Sequence, residues 1–380
     1  MTLPPYIYID HNATTPIRES AKAAYLTALN HYGNASSLHQ LGQSANGLLA
    51  SARLTFARYL HTSPEHIIFN SSGSEGNNHV LYSLLIQSLR TSIKPHVITS
   101  RIEHASIKNT LSALSQLGVE ITEVPVSASG HVSLSDIEAA IQPNTRLISI
   151  ILANNETGTI QPISEICQLA KSYGIPIHTD AVQALGKIPC NIDLYPVDFM
   201  TFSSHKIYAP KGTGALYVKS PQDLHALIHG GGHERELRAG TENIPGIVAF
   251  EDAILNLPGQ TEWARQRSLL DFIVSELTQT ISSLQIHSDH THGLPNTLSL
   301  GIDGLDGHAL AINLDLARVG VSTGSACATG SIDPSHVLEA MGVSQSLNSG
   351  SIRISIGETT TFPECEHVVK SVIECVKMMQ

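Results

Sequence analysis

Basic residues are scarce in this sequence. Its 380 residues hold 22 Lys and Arg against 33 Asp and Glu, a formal charge of −11. Nucleic-acid phosphates and anionic lipid surfaces are gripped by basic stripes, so neither is an expected partner. No apolar stretch approaches the ~18 residues needed to span a bilayer. The longest candidates are short runs such as 147–153, and no membrane segment is expected. Cysteine is sparse and unpaired: Cys167, Cys190, Cys327, Cys365 and Cys375 form no CxxC motif. That odd count disfavours a disulfide framework or a zinc ribbon and makes a reducing cytoplasm the default compartment. The opening MTLPPYIYIDHNATTP has neither the charged nor the apolar region of a secretory signal. Walker-type GxxxxGKS/T, internal repeats and low-complexity tracts are absent too, which excludes P-loop, solenoid and propeller readings. With 42% hydrophobic and 14% charged residues, what is left is a compact globule of two to three domains at roughly 150 residues each.

From about Glu65 the chain alternates short β-branched runs with amphipathic segments, the rhythm of a parallel sheet between helices. Strands are expected at 66–69, 96–99, 119–124, 147–152, 175–179 and 197–202, and helices at 74–90, 105–117, 133–141 and 163–173. Runs as continuously apolar as LISIIL suit strands buried on both faces. A hairpin-like stretch at 212–218 precedes HGGGHERELRAGTEN (229–243), which is too Gly-rich and charged for regular structure and reads as a long functional loop. A helical section including 264–284 follows, and from Asn296 strands and helices suggest a smaller α+β unit.

Four constellations could carry chemistry. FNSSGSEGNN (69–78) joins a strand to a helix. Free N–H groups and hydroxyls there suit a phosphate, though the stretch also reads as an ordinary turn with Ser74 as helix cap. In GIPIHTDAVQALGK (174–187) a buried strand delivers His178, Asp180 and Gln183 to its carboxyl end, where open α/β sheets bind ligands; Asp180 can equally cap the next helix. VDFMTFSSHKIYAPKGTGALYV (197–218) delivers Ser203, His205 and Lys206. A lysine leaving a buried strand can serve as a Schiff-base amine, although surface lysines are commoner. A phosphate turn, an acid and a lysine together are what pyridoxal phosphate requires of a protein. Finally, Cys327 lies among small residues, with Gly320, Gly324 and Gly330 beside it. A thiol on a mobile exposed loop there could act as a nucleophile, or it could simply sit in a tight turn. The pair His229 and His233 across a triglycine matches zinc-ligand spacing poorly, and no metal is expected.

The blocks YIDHNATTP, YGNASSLHQLG, SSGSEGNN, RIEHASI, ANNETG, HTDAVQALGK, FSSHKIYAPKGTGAL, HGGGHERELRAGTEN, GSACATGSIDPSHVL and SIRISIG run along nearly the whole chain. With them the sequence resembles the cysteine desulfurases of the NifS/IscS type. The resemblance implies an α/β chain of the fold type I of pyridoxal-phosphate enzymes. Its large cofactor domain, with a mainly parallel sheet between helices, would cover 14–255. A smaller α+β domain from 1–13 and 256–380 would bear the cysteine loop, at about 320–332. Lys206 then corresponds to the lysine bonded to the cofactor, Asp180 to the partner of the ring nitrogen, Gln183 to the contact of the ring oxygen, and His104 to the residue stacked on the ring. Gly73, Ser74, Ser203 and His205 correspond to the phosphate set, joined by Thr241 from a second subunit, which implies a homodimer. Asn155, Arg353 and Asn34 correspond to residues that receive the substrate carboxylate, and Asn155 also borders the cofactor. Cys327 corresponds to the cysteine that becomes persulfidated.

The implied reaction converts free L-cysteine to L-alanine and passes the sulfur to Cys327. Lys206 would move the Cα proton, and His104 would shuttle protons near neutral pH. From Cys327 the sulfur would go to an acceptor protein, either an iron–sulfur scaffold or a thiolation enzyme. The implied rivals are a selenocysteine lyase, another β-lyase or an aminotransferase of the same fold, and, outside enzymes, a scaffold relative. Ser204 and Ala209 stand where the family usually has Gly, Ser74 where Thr is common, and Ala328 where Ser or Thr is usual. None of these changes removes a reacting group.

Overall fold

The computed structural model describes residues 5–88, 94–289, 291–323 and 334–380. Cys327 and its neighbours at 324–333 lie outside them. After a two-residue strand β1 (Ile7–Tyr8) and two helices, α1 (Glu19–Ala28) and α2 (Gln40–Leu60), the chain builds seven strands of one sheet. These are β2 (Ile67–Asn70), β3 (His96–Ser100), β4 (Glu120–Val124), β5 (Thr145–Ser149), β6 (Ile177–Asp180), β7 (Phe199–Ser203) and β8 (Gly214–Val218). They lie in the order β2, β8, β7, β6, β5, β3, β4. Neighbours are parallel except around β8, which runs antiparallel to both β2 and β7.

The connecting helices are α3 (Gly73–Ser88), α4 (Ala105–Ser115), α5 (Leu134–Ala140) and α6 (Ile163–Tyr173), followed by α7 (Ile244–Leu255). Because strand side chains alternate between faces, each strand feeds two cores. Ile67, Phe69, Ile98, Phe202, Ala215 and Tyr217 point to the core that α2, α6 and α7 cover. Ile68, Val97, Leu216 and Val218 point to the one under α3 and α4.

The helix expected at 163–173 is α6 itself, and the one expected from 74 starts one residue earlier, at Gly73. Ser74 is therefore not the cap: the Ser72 hydroxyl accepts the Glu75 N–H at 3.1 Å instead. The LISIIL run leaves the sheet after Ser149, although Ile150 and Leu152 still donate to the carbonyls of His178 and Asp180 at 3.1 and 2.9 Å. The helix expected at 264–284 lies at α8 (Gln260–Thr280), because the chain beyond it turns into strand β9 (Leu284–Ile286).

Further on come β10 (Thr297–Ile302), α9 (Gly307–Leu316), β11 (Val319–Gly320), β12 (Ser322–Thr323), α10 (His336–Ala340), α11 (Gln345–Ser349), β13 (Ser351–Ser355) and α12 (Phe362–Met379). The strands β12, β13, β10 and β9 form an antiparallel sheet in that order, while β11 pairs in parallel with β1. Their core joins Ile7 and Ile9 to Leu298, Leu300, Ile352 and Val372. The N-terminal strand is thus packed with C-terminal elements, and the segment after it, Asp10–Thr15, crosses to the large sheet. His11 N–H donates to Ser355 O at 3.0 Å and Thr15 N–H to His205 O at 2.9 Å. Among the described residues no helix is long and apolar enough to cross a membrane.

Candidate active site

A cavity of about 180 Å³ lies where the carboxyl ends of β6 and β7 meet the start of α3. Gly73, Ser74, His104, Asn155, Asp180, Gln183, Ser203, His205 and Lys206 all line it. These residues span more than a hundred positions of sequence, and the sheet topology brings them together by delivering successive strand ends to one edge.

One wall is made of main chain and short side chains. The N–H groups of Gly73 and Ser74 open a 16-residue helix and have no carbonyl a turn earlier to bond. A Cβ added at Gly73 would come within 2.6 Å of Val182 Cγ2, so only glycine lets the backbone close in there. Ser203 and His205 complete this wall. His205 Nδ1 lies 3.2 Å from Thr14 Oγ1. Burial, reinforced by the cations of Lys206, Lys211 and Lys187, pushes the His205 imidazole down to about 3, so it is neutral in ordinary conditions. Ser204 is fully buried, and its one hydroxyl hydrogen is shared between the carbonyls of Pro210 and Thr213. This side chain ties down the turn that carries Lys206.

A second set is joined by hydrogen bonds between side chains. Asp180 both caps and holds: Oδ1 accepts Val182 N–H at 3.0 Å, and Oδ2 accepts Asn77 Nδ2 at 2.7 Å. Asn77 Nδ2 also donates to Ser106 Oγ at 2.8 Å, and Ser106 Oγ lies 2.8 Å from His104 Nδ1. Because His104 Nδ1 accepts the Ser106 backbone N–H at 3.1 Å, a neutral imidazole here carries its proton on Nε2. Behind this set Glu103 is buried, which pushes its carboxyl up to about 8 despite hydrogen bonds from Ser100 and Ile151.

A third set centres on Asn12. Its carbonyl accepts Lys206 Nζ at 2.5 Å and Gln183 Nε2 at 2.8 Å, and Lys206 Nζ also donates to Ala13 O at 2.8 Å. Its side chain bonds Thr297, Asn296 and the buried Lys187. Arg353 is buried behind the cavity, where it donates to Asp10 Oδ1 at 2.6 Å and to Asn155 O at 2.9 Å. Among the described residues its Nε has no hydrogen-bond partner. Asn155 lines the cavity, while Arg353 backs on to it. Next to Asn155, Glu156 accepts Ser335 Oγ at 2.5 Å. Burial pushes its carboxyl up to about 7, with Ser335, Arg353 and His104 pulling the other way.

Besides Arg353, two other expected residues do not line the cavity. Asn34 is exposed, and its side chain accepts Ser36 N–H at 2.9 Å. Thr241, expected to serve a second subunit, is exposed and does not line this chain's own cavity. The 229–243 loop is pinned by two ion pairs, Arg53–Glu234 at 2.6 Å and Arg238–Glu75 at 2.8 Å, the second reaching the first turn of α3. Cys327 falls outside the described residues. Sequence reasoning missed Asn12, Asn77, Ser106 and Lys187, although each sits inside one of the recognised blocks. The lining suits a phosphorylated pyridine aldehyde: a glycine-only approach to helix N–H groups, an amine, and a carboxylate held by two donors.

The Aminotransferase class-V family matches residues 7–368. A protein of Dictyoglomus turgidum described as "Cysteine desulfurase IscS" is 40% identical over 376 residues, covering 97% of this chain and 94% of that protein. The solved structure of a NifS-like protein superposes with a TM-score of 0.91 at 34% identity, covering 98% of this chain and 100% of that one. The structure described as SspA in complex with cysteine superposes with a TM-score of 0.83 at 34% identity, over 93% and 100% of the two chains.

Proposed function

The chain belongs to the aminotransferase class-V family and is a pyridoxal-phosphate-dependent cysteine desulfurase, and on that premise we propose which of its residues do the work. Lys206 is the amine that bonds the cofactor aldehyde, Asp180 faces the ring nitrogen, Gln183 the ring oxygen, and His104 the ring face. Gly73, Ser74, Ser203 and His205 hold the phosphate. Bound pyridoxal phosphate supplies an aldehyde that condenses with amines and a protonated ring that draws electrons from the carbon so attached. The observation that carries this reading is the convergence of all eight residues on one cavity.

Each residue's surroundings suit its task. Lys206 Nζ is steadied by the carbonyls of Asn12 and Ala13, and as a free amine it would be the base that moves the proton at the substrate Cα. Asp180 is locked in orientation by Asn77 and the Val182 N–H, so its carboxylate can favour a protonated ring nitrogen without reorganising. His104 presents Nε2 for proton exchange because Nδ1 is occupied. Asn155 and Arg353 bind the substrate carboxylate, the Arg353 Nε supplying a buried donor with no partner among the described residues, with Asn34 as a further contact. Cysteine as substrate is supported by the related structure described as a complex with it.

Cys327 takes the sulfur. Its thiolate attacks the substrate sulfur, an S–S bond forms as the Cβ–S bond breaks, and the electron pair stays with the carbon fragment, which is protonated and leaves as L-alanine. The persulfide then passes to an acceptor protein of iron–sulfur or thiolation chemistry. Two chains form a homodimer in which the exposed Thr241 of one completes the phosphate site of the other. Four described cysteines, all buried and unpaired, suit a reducing cytoplasm.

Borohydride reduction tests the first part: the cofactor should be fixed to wild-type protein and lost from Lys206→Ala. Cys327→Ser should keep the cofactor's colour and lose sulfide release from cysteine. Full sulfide release by that variant would point to a lyase of the same fold, and a protein that cannot be reconstituted with pyridoxal phosphate would point to a scaffold relative.

A further inference from the structure

Lys187 is a buried lysine with no assigned task. No carboxylate forms an ion pair with it among the described residues. Nζ instead donates to two neutral oxygens, Asn12 Oδ1 at 2.9 Å and Gln183 Oε1 at 2.5 Å. Gln183 in turn gives one N–H of Nε2 to Asn12 O at 2.8 Å, and its side chain lines the cavity. Rotating that amide by half a turn would set its NH2 against the donors of Lys187 and its oxygen against the Asn12 carbonyl. Two attractive contacts would become two repulsive ones, so the orientation is fixed by partners on both sides.

We propose that Lys187 is a positioning residue that locks the Gln183 carboxamide with its NH2 toward the cavity, so that Gln183 can only donate to the cofactor's ring oxygen and never accept from it. The inference rests on the reading of Lys206 and Gln183 as cofactor residues. The ammonium has donors only and enforces this orientation outright; the neutral amine keeps it through the same two N–H bonds, with the Asn12 carbonyl on the other side still demanding the NH2. Burial drives the Lys187 ammonium well below its ordinary value, and the cations of Lys206 and Arg353 add to the effect; a neutral amine still has two N–H groups for its two acceptors. Donation from Gln183 draws electron density from the ring oxygen and lowers the proton affinity of the adjoining nitrogen. Removing the lock should therefore raise the pH at which the bound cofactor changes colour.

The test is a spectrophotometric pH titration of purified holoenzyme without substrate, beside Lys187→Met, Gln183→Ala and the double variant. Lys187→Met should raise the midpoint by roughly 0.5–1 pH unit, the size of one lost hydrogen bond. In the Gln183→Ala background the same change should move it by less than about 0.2 pH unit, because the residue acted upon is gone. An unmoved midpoint in Lys187→Met, or an equal further rise in the double variant, overturns the proposal. Should Lys187→Met not fold, Lys187→Gln keeps an N–H donor without the charge and should stay within about 0.2 pH unit of wild type; a full shift there overturns it as well. Failure of borohydride to fix the cofactor to Lys206 in the wild-type protein would instead count against the functional reading, leaving the two outcomes distinguishable.

Discussion

Around Gly73 the cavity wall is backbone and short hydroxyls, whereas around Asn12 and Asp180 it is a buried lattice of long polar side chains. The first wall is mostly local, a strand, a tight turn and a helix start between Ile67 and Ser88, closed by Ser203 and His205 at the end of β7. The second is assembled from β1's trailing segment, α3, α4, β6, β10 and β13. Asn12 alone bonds Asn155, Lys187, Thr297 and Ser355. In the proposed roles, a phosphate would be met mainly by backbone N–H groups and short hydroxyls, which need little side-chain ordering. A reacting ring and a substrate carboxylate would be met by groups whose orientation must be held by neighbours, and a hydrogen bond removed from such a buried lattice leaves its partner unsatisfied.

If that contrast is right, damage to the lattice costs more than damage to the backbone wall. Asp180→Asn keeps the shape and removes the charge, and should lower kcat/KM by on the order of 10²–10³ in steady-state assays of alanine formation. A loss under tenfold would mean the carboxylate is not working on the ring nitrogen. Asn77→Ala leaves Asp180 Oδ2 and the Ser106 hydroxyl without their shared donor, worth about 1–3 kcal/mol, or roughly 5–150-fold in rate. Wild-type rates in that variant would show that the Asp180–Asn77–Ser106–His104 chain is decoration.

The backbone wall should yield less. Gly73→Ala drives a methyl against Val182 Cγ2 and should weaken cofactor binding by roughly tenfold, within the about 1–3 kcal/mol usual for overpacking. Val182→Ala in the same chain should restore most of it, measured by equilibrium titration of apo protein with pyridoxal phosphate. Absence of rescue would mean that the backbone, not the clash, sets the requirement for glycine.

The same contrast separates what is legible in the amino-acid sequence from what is not. Strands such as β6 and helix α6 follow from apolar period and turn residues, and Gly73, Ser74, Asp180 and Lys206 stand next to them in sequence. The helices α1 and α2 escape that pattern, because the βα rhythm starts only after them. Asn12, Asn77, Ser106 and Lys187 lie within the motifs, yet nothing in their local sequence gives them a role. Their partners lie far away: Asn12 meets Lys187 across 175 positions and Thr297 across 285. Periodicity describes one segment at a time and carries no such pairing. Only the spacing of Gln183 and Lys187, four apart, holds a local hint.

The smallest expected effect is a difference in titration between the two walls. At the backbone wall His205, held to about 3, carries no charge change between pH 6 and 8. At the other wall Glu156 is raised to about 7 and Glu103 to about 8, burial being the main cause for both. A carboxyl raised above its unfolded value binds a proton in the folded state that the unfolded state has released. Stability is then lost as pH rises from the ordinary glutamate value toward the raised one, by at most about 1.4 kcal/mol per pH unit for each group. The buried His178, lowered to about 3, and His11, lowered to about 4, act in the opposite window, costing stability as pH falls below the ordinary histidine value. The unfolded chain's histidines release their protons in the same interval and add stability as pH rises, so the glutamate contribution is read as the difference between two proteins in denaturant titrations. Glu156→Gln can still accept from Ser335 and no longer titrates, so its stability relative to wild type should rise between pH 6 and pH 8. Parallel curves for the two proteins would mean that Glu156 is ionised throughout, and that the lattice beside Arg353 holds its charge as firmly as the backbone wall avoids one.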